Sequence, residues 1–399
     1  MKAYSGCSCP KSISKLLPLL ILLALVLGGC QNIVAQNDNK DKAPAVITIW
    51  HTLNGAEAEI LEGQLQNFSK TNPAILVKMV YVPEENFVKR AFQAEAGGEG
   101  PEIFLAPKAV LLQLYAQGTL APAANLTADA FPAALAQFRF NSQLYAQPWL
   151  TDVPLFFFNK DKAPIPTDLA SLSAGQGQLV LPGLDISLLS TWWNGQGGQL
   201  LTNGKPALDQ AVNLAFLEQL LRWRSARVLE LNPKAWEQFA SGQVGYTIAW
   251  ASQAQALTGS NIPWDSLPLS ALLGGEGQAL CGPTLGVANS AVKTIEPLNS
   301  AIQTVEQALL DPQLEGAVAQ AGNRFPANSL YYSSGDNKRA IEAQVKLVLT
   351  QAWVLEGSAL EQKLFPLQEA AWQDAFAGMS AQEALARAQN EALQALAAL

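Results

Sequence analysis

The sequence predicts an α/β protein of about two domains, built on mainly parallel sheets. Three observations predict it. The chain has 399 residues, enough for two domains of ordinary size. Between residues 45 and 107 it reads strand, helix, strand, helix, strand, an order whose crossovers pair the strands in parallel. After residue 177 the alternation of short apolar runs and amphipathic segments resumes.

Val46-Ile47-Thr48-Ile49-Trp50 is a β-branched and aromatic run between Pro44 and Asn54-Gly55, and reads as a buried strand. Residues 56–71 carry Ile60, Leu61, Leu65 and Phe68 on one helical stripe, and Asn72-Pro73 stops that helix. A second strand covers 75–82. A second helix starts at Pro83-Glu84, carries Phe87, Val88, Ala91 and Phe92, and ends in Gly97-Gly98-Glu99-Gly100-Pro101. Glu102-Ile103-Phe104-Leu105-Ala106 is a third strand. Ligands on such sheets sit beyond the C-terminal strand ends, which here are 50–54, 82–85 and 106–108. Further on, 178–182 and 245–250 read as strands. Residues 209–224 read as a helix with Val212, Phe216, Leu220 and Trp223 on one face. Ser380-Ala381-Gln382-Glu383 is a capping box opening a last helix.

The first 29 residues read as an export leader. They carry Lys2, Lys11 and Lys15, no acidic residue, and an apolar run over 16–27 that is shorter than the roughly 20 residues a membrane span needs. The leader ends Leu27-Gly28-Gly29-Cys30, which looks like a bacterial lipobox that would make Cys30 a lipidated N-terminus. Residues 30–44 read as a polar tether. Losing residues 1–29 and their three lysines takes the net charge from −8 to −11. Cys7 and Cys9 leave with the leader. Cys281 is then the one free thiol, so no disulfide framework is expected.

Composition excludes several classes. A single histidine, His51, cannot build a His-rich metal site, and the acidic balance argues against nucleic acid. No phosphate-cradling glycine loop follows the first strand, where the chain reads Trp50-His51-Thr52-Leu53-Asn54-Gly55. A G-x-S-x-G nucleophile elbow is absent as well. Ten tryptophans are instead a large aromatic supply. Trp50, Trp149, Trp192, Trp193 and Trp250 are expected at strand ends or in loops, where aromatic planes can cover the apolar face of a ligand. Trp223, Trp236 and Trp353 fall in helical stretches and read as core.

Several segments carry a family resemblance: Ile47-Thr48-Ile49-Trp50-His51 with Phe68-Ser69-Lys70-Thr71-Asn72-Pro73, Gly100-Pro101-Glu102-Ile103-Phe104-Leu105-Ala106, and Tyr115-Ala116-Gln117-Gly118-Thr119-Leu120. Tyr145-Ala146-Gln147-Pro148-Trp149-Leu150-Thr151-Asp152, Gly197-Gly198-Gln199-Leu200-Leu201 and Gly282-Pro283-Thr284-Leu285-Gly286-Val287 continue it. In order and spacing over roughly residues 45–395 the chain resembles the family-1 extracellular solute-binding proteins, the maltose/maltodextrin-binding type that feeds bacterial ABC importers. The resemblance implies a two-lobed periplasmic-binding-protein type II fold, each lobe a mainly parallel sheet flanked by helices, joined by a hinge. It implies a first lobe of 45–151 with 285–333 and a second of 152–284 with 334–399, with crossings near 152–154, 282–286 and 331–335. It implies a monomer that closes on a sugar and delivers it to permease subunits, with no cofactor, no metal and no catalytic residue.

The resemblance also nominates ligand contacts. Asn54 and Glu85 follow the first two strands, His51 adjoins Asn54, Asp152 stands at the hinge, and Asp185 precedes Gly197-Gly198. With Trp50, Trp149, Trp193 and Trp250 they form the candidate site. Asp152 has a second reading, as a hinge carboxylate that caps a helix or pairs with a lysine. Where maltodextrin binders often carry His-Asp-Arg, this chain has Pro107-Lys108-Ala109, which points to a smaller or different glycan. Lys108 itself reads as solvated, and Cys281 as a small buried hydrophobe at the hinge. Two other functions fit the same fold: a glycoside-acting enzyme using Asp152 and Asp185, and a sensory or structural lipoprotein.

Overall fold

The computed structural model describes residues 43–123, 129–173, 177–291, 295–333, 339–355 and 359–397. The leader, Cys30 and most of the tether lie outside the described residues, as do residues 334–335 of the third expected crossing. No described helix is long and apolar enough to cross a membrane.

The opening pattern folds as read. Strand β1 (Ala45–His51) is followed by helix α1 (Gly55–Thr71), β2 (Ile75–Tyr81), α2 (Glu84–Gly97), β3 (Ile103–Pro107) and α3 (Lys108–Ala116). Asn54 accepts from the Glu57 amide and the Glu57 carboxylate accepts from the Asn54 amide, so both ends of a capping box start α1. Leu61 and Leu65 face the core, whereas Ile60 is 40% exposed. β1 pairs in parallel with β2 and with β3. Strands β4 (Gln147–Thr151), β10 (Leu285–Asn289) and β11 (Phe325–Pro326) extend this sheet antiparallel, in the order β11-β4-β10-β3-β1-β2.

A second sheet holds β5 (Pro154–Asn159), β6 (Leu179–Leu181), β7 (Leu229–Leu231), β8 (Tyr246–Trp250) and β9 (Trp264–Leu267), in the order β7-β6-β8-β5-β9. β7, β6 and β8 are parallel, and β5 and β9 are antiparallel additions. Each sheet thus mixes the two kinds of pairing, two parallel and three antiparallel in the first and two of each in the second, a more mixed arrangement than the mainly parallel one expected. The reason is the hinge. β4 runs straight into β5 across two residues, and the chain returns into β10 next to β3, so the crossing strands must run against their neighbours.

Side chains alternate across each strand, and the cores follow. Ile47, Ile49, Ile103 and Leu105 pack on one face of the first sheet, with Val305 and Leu309 of the helix Leu298–Leu309. Trp50, Phe104 and Ala106 pack on the other face with Phe87 and Val110. In the second sheet Phe156, Phe158, Tyr246 and Ile248 face the helices α4 (Ile186–Gly195), α5 (Ala211–Ser225) and the C-terminal pair Ala359–Ala377 and Ala381–Ala397. Leu155, Phe157 and Ala249 face a separate cluster with Phe131, Phe325, Tyr331, Tyr332 and Val345. Leu155, Phe156 and Phe157 are wholly buried, each worth about 1.5–3 kcal/mol in burial. Buried on both faces, β5 reads as a continuous apolar run with no period to reveal it.

Candidate ligand-binding site

Two of the three expected crossings run antiparallel between the sheets and are sewn together at the expected hinge. The outgoing one is Asp152-Val153, between β4 and β5; the returning one passes through Cys281-Gly282-Pro283-Thr284 into β10. The Gly282 amide donates to the Asp152 carbonyl at 2.8 Å and Ala251 donates to the Val153 carbonyl at 2.9 Å. The hydroxyls of Thr151 and Thr284 lie 2.8 Å apart. Gln137, from the first lobe, donates to the Cys281 carbonyl and to the Thr284 hydroxyl at 3.3 and 3.1 Å. A Cβ on Gly282 would collide with the Trp250 ring and press on the Asp152 carbonyl, so only glycine lets the two crossings approach beside that indole.

Asp152 takes its second reading. Its Oδ1 accepts from Val153 N at 2.8 Å and Ser252 N at 3.2 Å, capping the 3₁₀ turn Ala251–Leu257. Burial pushes its pKa up to about 6, with the hydrogen bonds from Ser252 and Val153 and the more distant Arg324 working against that rise. No lysine pairs with it among the described residues.

Two cavities adjoin this hinge. The first, of about 350 Å³, has Lys108, Ala109 and Leu112 of α3 and Ala133, Ala136 and Gln137 on its first-lobe wall. Ile186, Ser187, Trp353, Phe365 and Pro366 form the opposite wall, and Leu280 and Cys281 of the returning crossing form the floor. The second, of about 410 Å³, lies beyond the C-terminal ends of β6, β7 and β8, where Pro182, Pro233 and Trp250 end or follow those strands. Trp236, Trp250, Asp185, Glu237 and Gln253 line it. Asp185 lines one cavity and Ile186-Ser187 the other, so the first turn of α4 is the divide between them. Asp185 N-caps that helix, accepting from Ser187 N at 2.7 Å. Glu369 accepts from Ile186 N at 3.2 Å, and burial, with Asp185 nearby, holds its carboxyl above the ordinary range.

Of the nominated residues, the structure brings Trp250 and Asp185 together in the second cavity, and Asp152 holds Ser252 N, two residues after Trp250. The others stand elsewhere, each for a visible reason. Trp149 is wholly buried in the first-lobe core, its indole N–H donating to the Leu309 carbonyl at 2.7 Å. Trp193 is also wholly buried, because 186–195 is a helix and not a loop, and its N–H meets Asn213 Oδ1 at 2.9 Å. Trp50 is inside β1, 8% exposed, with Phe87 against its edge and the Arg90 guanidinium over its ring at 5.4 Å. His51 is buried, accepts from Leu53 N through Nδ1 at 3.3 Å, and burial lowers its pKa to about 4. It is neutral at ordinary pH. Asn54 is the N-cap of α1, and Glu85 is exposed in the first turn of α2.

Three cavity residues escaped sequence reasoning. Trp353 is in an irregular segment after the helix Glu342–Gln351, not in a helix; it is half-buried and packs against Trp193 and Phe365. Trp236 opens a short helix, Ala235–Ala240, and stacks on Phe239. Lys108 is half-buried, not solvated, and burial lowers its pKa. The signal that finds Trp250, an aromatic at the end of an element, also marks Trp353, which follows Gln351 by two residues. Among the described residues no cluster of His, Cys, Asp and Glu could hold a metal ion.

The sequence profile of the bacterial extracellular solute-binding proteins matches residues 63–345. No curated protein matches the sequence. Solved structures share the fold. The GacH receptor of Streptomyces glaucescens, solved unliganded and with acarbose, aligns over 88% of this chain and 98% of its own at 18% identity and TM-score 0.68. A cyclo/maltodextrin-binding protein in complex with maltotetraose aligns over 89% and 99% at 14% identity and TM-score 0.74. The maltose-maltodextrin binding protein of Alicyclobacillus acidocaldarius aligns over 87% and 100% at 17% identity and TM-score 0.68.

Proposed function

Because the chain belongs to the bacterial extracellular solute-binding proteins, we propose that it captures a saccharide at the hinge and hands it to the permease of an ABC importer. Export places it outside the cytoplasm, and lipid on Cys30 would hold it at the membrane as a monomer. The observation that carries this reading is the pair of cavities flanking the hinge, which present four aromatic side chains, Trp236, Trp250, Trp353 and Phe365. Sugar rings offer apolar C–H faces ringed by hydroxyls. Aromatic planes cover the faces, and carboxylates and amides such as Asp185, Glu237, Gln253 and Gln137 bond the hydroxyls. The solved relatives described above were crystallised with acarbose and maltotetraose, which favours the same ligand class.

Binding would work by population shift. A ligand that touches both walls of the first cavity makes more contacts when the lobes are closed, and it moves the hinge equilibrium by that difference and no more. The permease then reads the closed form. Hydrolysis fits less well. Both proposed carboxylates are occupied by backbone amides, Asp152 by Val153 and Ser252 and Asp185 by Ser187, so neither stands ready as the free acid or base of a glycosidase pair.

The test is a thermal-shift screen of the purified chain against mono-, di- and oligosaccharides, polyols and glycosides. A ligand at 100 times its Kd adds about 2.7 kcal/mol of stability. A shift without consumption of the sugar is the expected result. No shift across a broad panel, or turnover of a glycoside that Asp185→Asn abolishes, overturns the reading.

A further inference from the structure

Lys108 is the one feature of the cavity that a neutral sugar does not explain. It stands at the first position of α3, half-buried in the wall of the 350 Å³ cavity. The lining of that cavity is largely apolar, Leu112, Leu280 and Phe365 among it, with Gln137 and Ser187 its neutral polar members. No described carboxylate forms an ion pair with it. The one titratable partner in reach is Cys281, whose thiol burial pushes up to about 12, so it remains protonated and supplies no counter-charge. The acidic groups near the far wall, Asp185 and Glu369, are engaged by the amides of Ser187 and Ile186. An unpaired ammonium in apolar surroundings is costly to keep, and a binding protein retains it to advantage where the ligand brings the missing charge.

Resting on the reading of the hinge cavities as a saccharide site, we infer that the ligand is an anionic saccharide, whose carboxylate or phosphate pairs with Lys108. Its ring faces meet Trp353 and Phe365, and the polar groups of Gln137 and Ser187 receive its neutral hydroxyls. The charge therefore sits at one end of the bound molecule, the end held by the first lobe. Pairing across the cavity would add to the preference for the closed form.

The experiment is calorimetric titration of the full chain with four probes in two pairs: trigalacturonate and its neutral trisaccharide counterpart of the same linkage, and trehalose 6-phosphate and trehalose. The expected result is binding of an acidic probe at least 10-fold tighter than its neutral partner, weakening as salt rises. The uronate and phosphate arms tell which anion is meant. Lys108→Met should erase the difference, while Lys108→Arg keeps most of it. Without ligand, Lys108→Met should also raise the melting temperature, because it removes an unpaired charge and keeps the apolar stem; a lysine serving only the fold would lower it. Equal binding of acidic and neutral probes, unchanged by Lys108→Met, overturns the inference and leaves saccharide binding standing. Binding of no saccharide, acidic or neutral, overturns both.

Discussion

The strand ends of the two sheets make a pair of opposites. In the first sheet the residues at and after the end of β1 are spent on the fold: Trp50 is sealed against Phe87, His51 against its own loop, and Asn54 on a helix cap. In the second sheet the ends of β6, β7 and β8 open into a cavity whose walls carry Trp236, Trp250 and Asp185. Both sheets place aromatics at the topologically favoured edge: in the first Trp50 is covered and Tyr81, at the end of β2, lies out in solvent, whereas in the second Trp250 is half-buried in a cavity wall. Trp149 and Trp250 show the same contrast residue for residue. One indole gives its N–H to Leu309 and is wholly buried; the other lines a cavity at the hinge. An aromatic at a strand end becomes a binding surface only where nothing in the fold covers it.

Four substitutions would break or sharpen that contrast. The largest effect falls on stability: Trp149→Ala empties a full core site and should cost about 3–5 kcal/mol, read as a lower denaturant midpoint, with ligand affinity per folded molecule unchanged. His51 comes next. Its folded pKa of about 4 lies below the ordinary 6.5, so the stability linked to its neutral form is present above pH 6.5 and lost as pH falls toward 4. The loss should reach about 3 kcal/mol, and His51→Gln should flatten the acid limb of the stability curve across that window. Asp152 runs the other way, since its raised pKa removes stability as pH rises from about 4 to about 6.

Trp250→Ala should cost about 2 kcal/mol of binding, roughly 30-fold in Kd, and should cost less stability than Trp149→Ala. The smallest effect belongs to Asn54→Ala, which removes the α1 cap for about 1 kcal/mol of stability and leaves affinity where it was. A change in affinity from Asn54→Ala would return the first strand end to the binding site.

Much of the fold is legible in the sequence because local signals agree with it. The β1–α1–β2–α2–β3 order, the Asn72-Pro73 stop and the strand 246–250 all carry period, breaker or cap. β5 does not, because a strand buried on both faces has no polar beat; β9, Trp-Asp-Ser-Leu at the sheet edge, is too short and polar to carry a strand signal, and the half-antiparallel sheets follow from a hinge that only three dimensions express. The site is legible in part. Residue type marks the ten tryptophans, but burial decides their roles, and burial depends on long-range partners: Leu309 for Trp149, Asn213 for Trp193. Lys108 hides for the same reason. A lysine after Pro107 looks like solvent-facing surface until Cys281 and Trp353, more than 170 residues away in the chain, close around it.

The most direct measurement is calorimetric titration of the wild-type chain, Trp250→Ala and Asn54→Ala with whichever saccharide gives the largest thermal shift. Saturable one-to-one binding that Trp250→Ala weakens by roughly 30-fold and Asn54→Ala leaves intact is the predicted result. Equal affinity in all three chains, or loss only in Asn54→Ala, would contradict a ligand site built on the second sheet's strand ends.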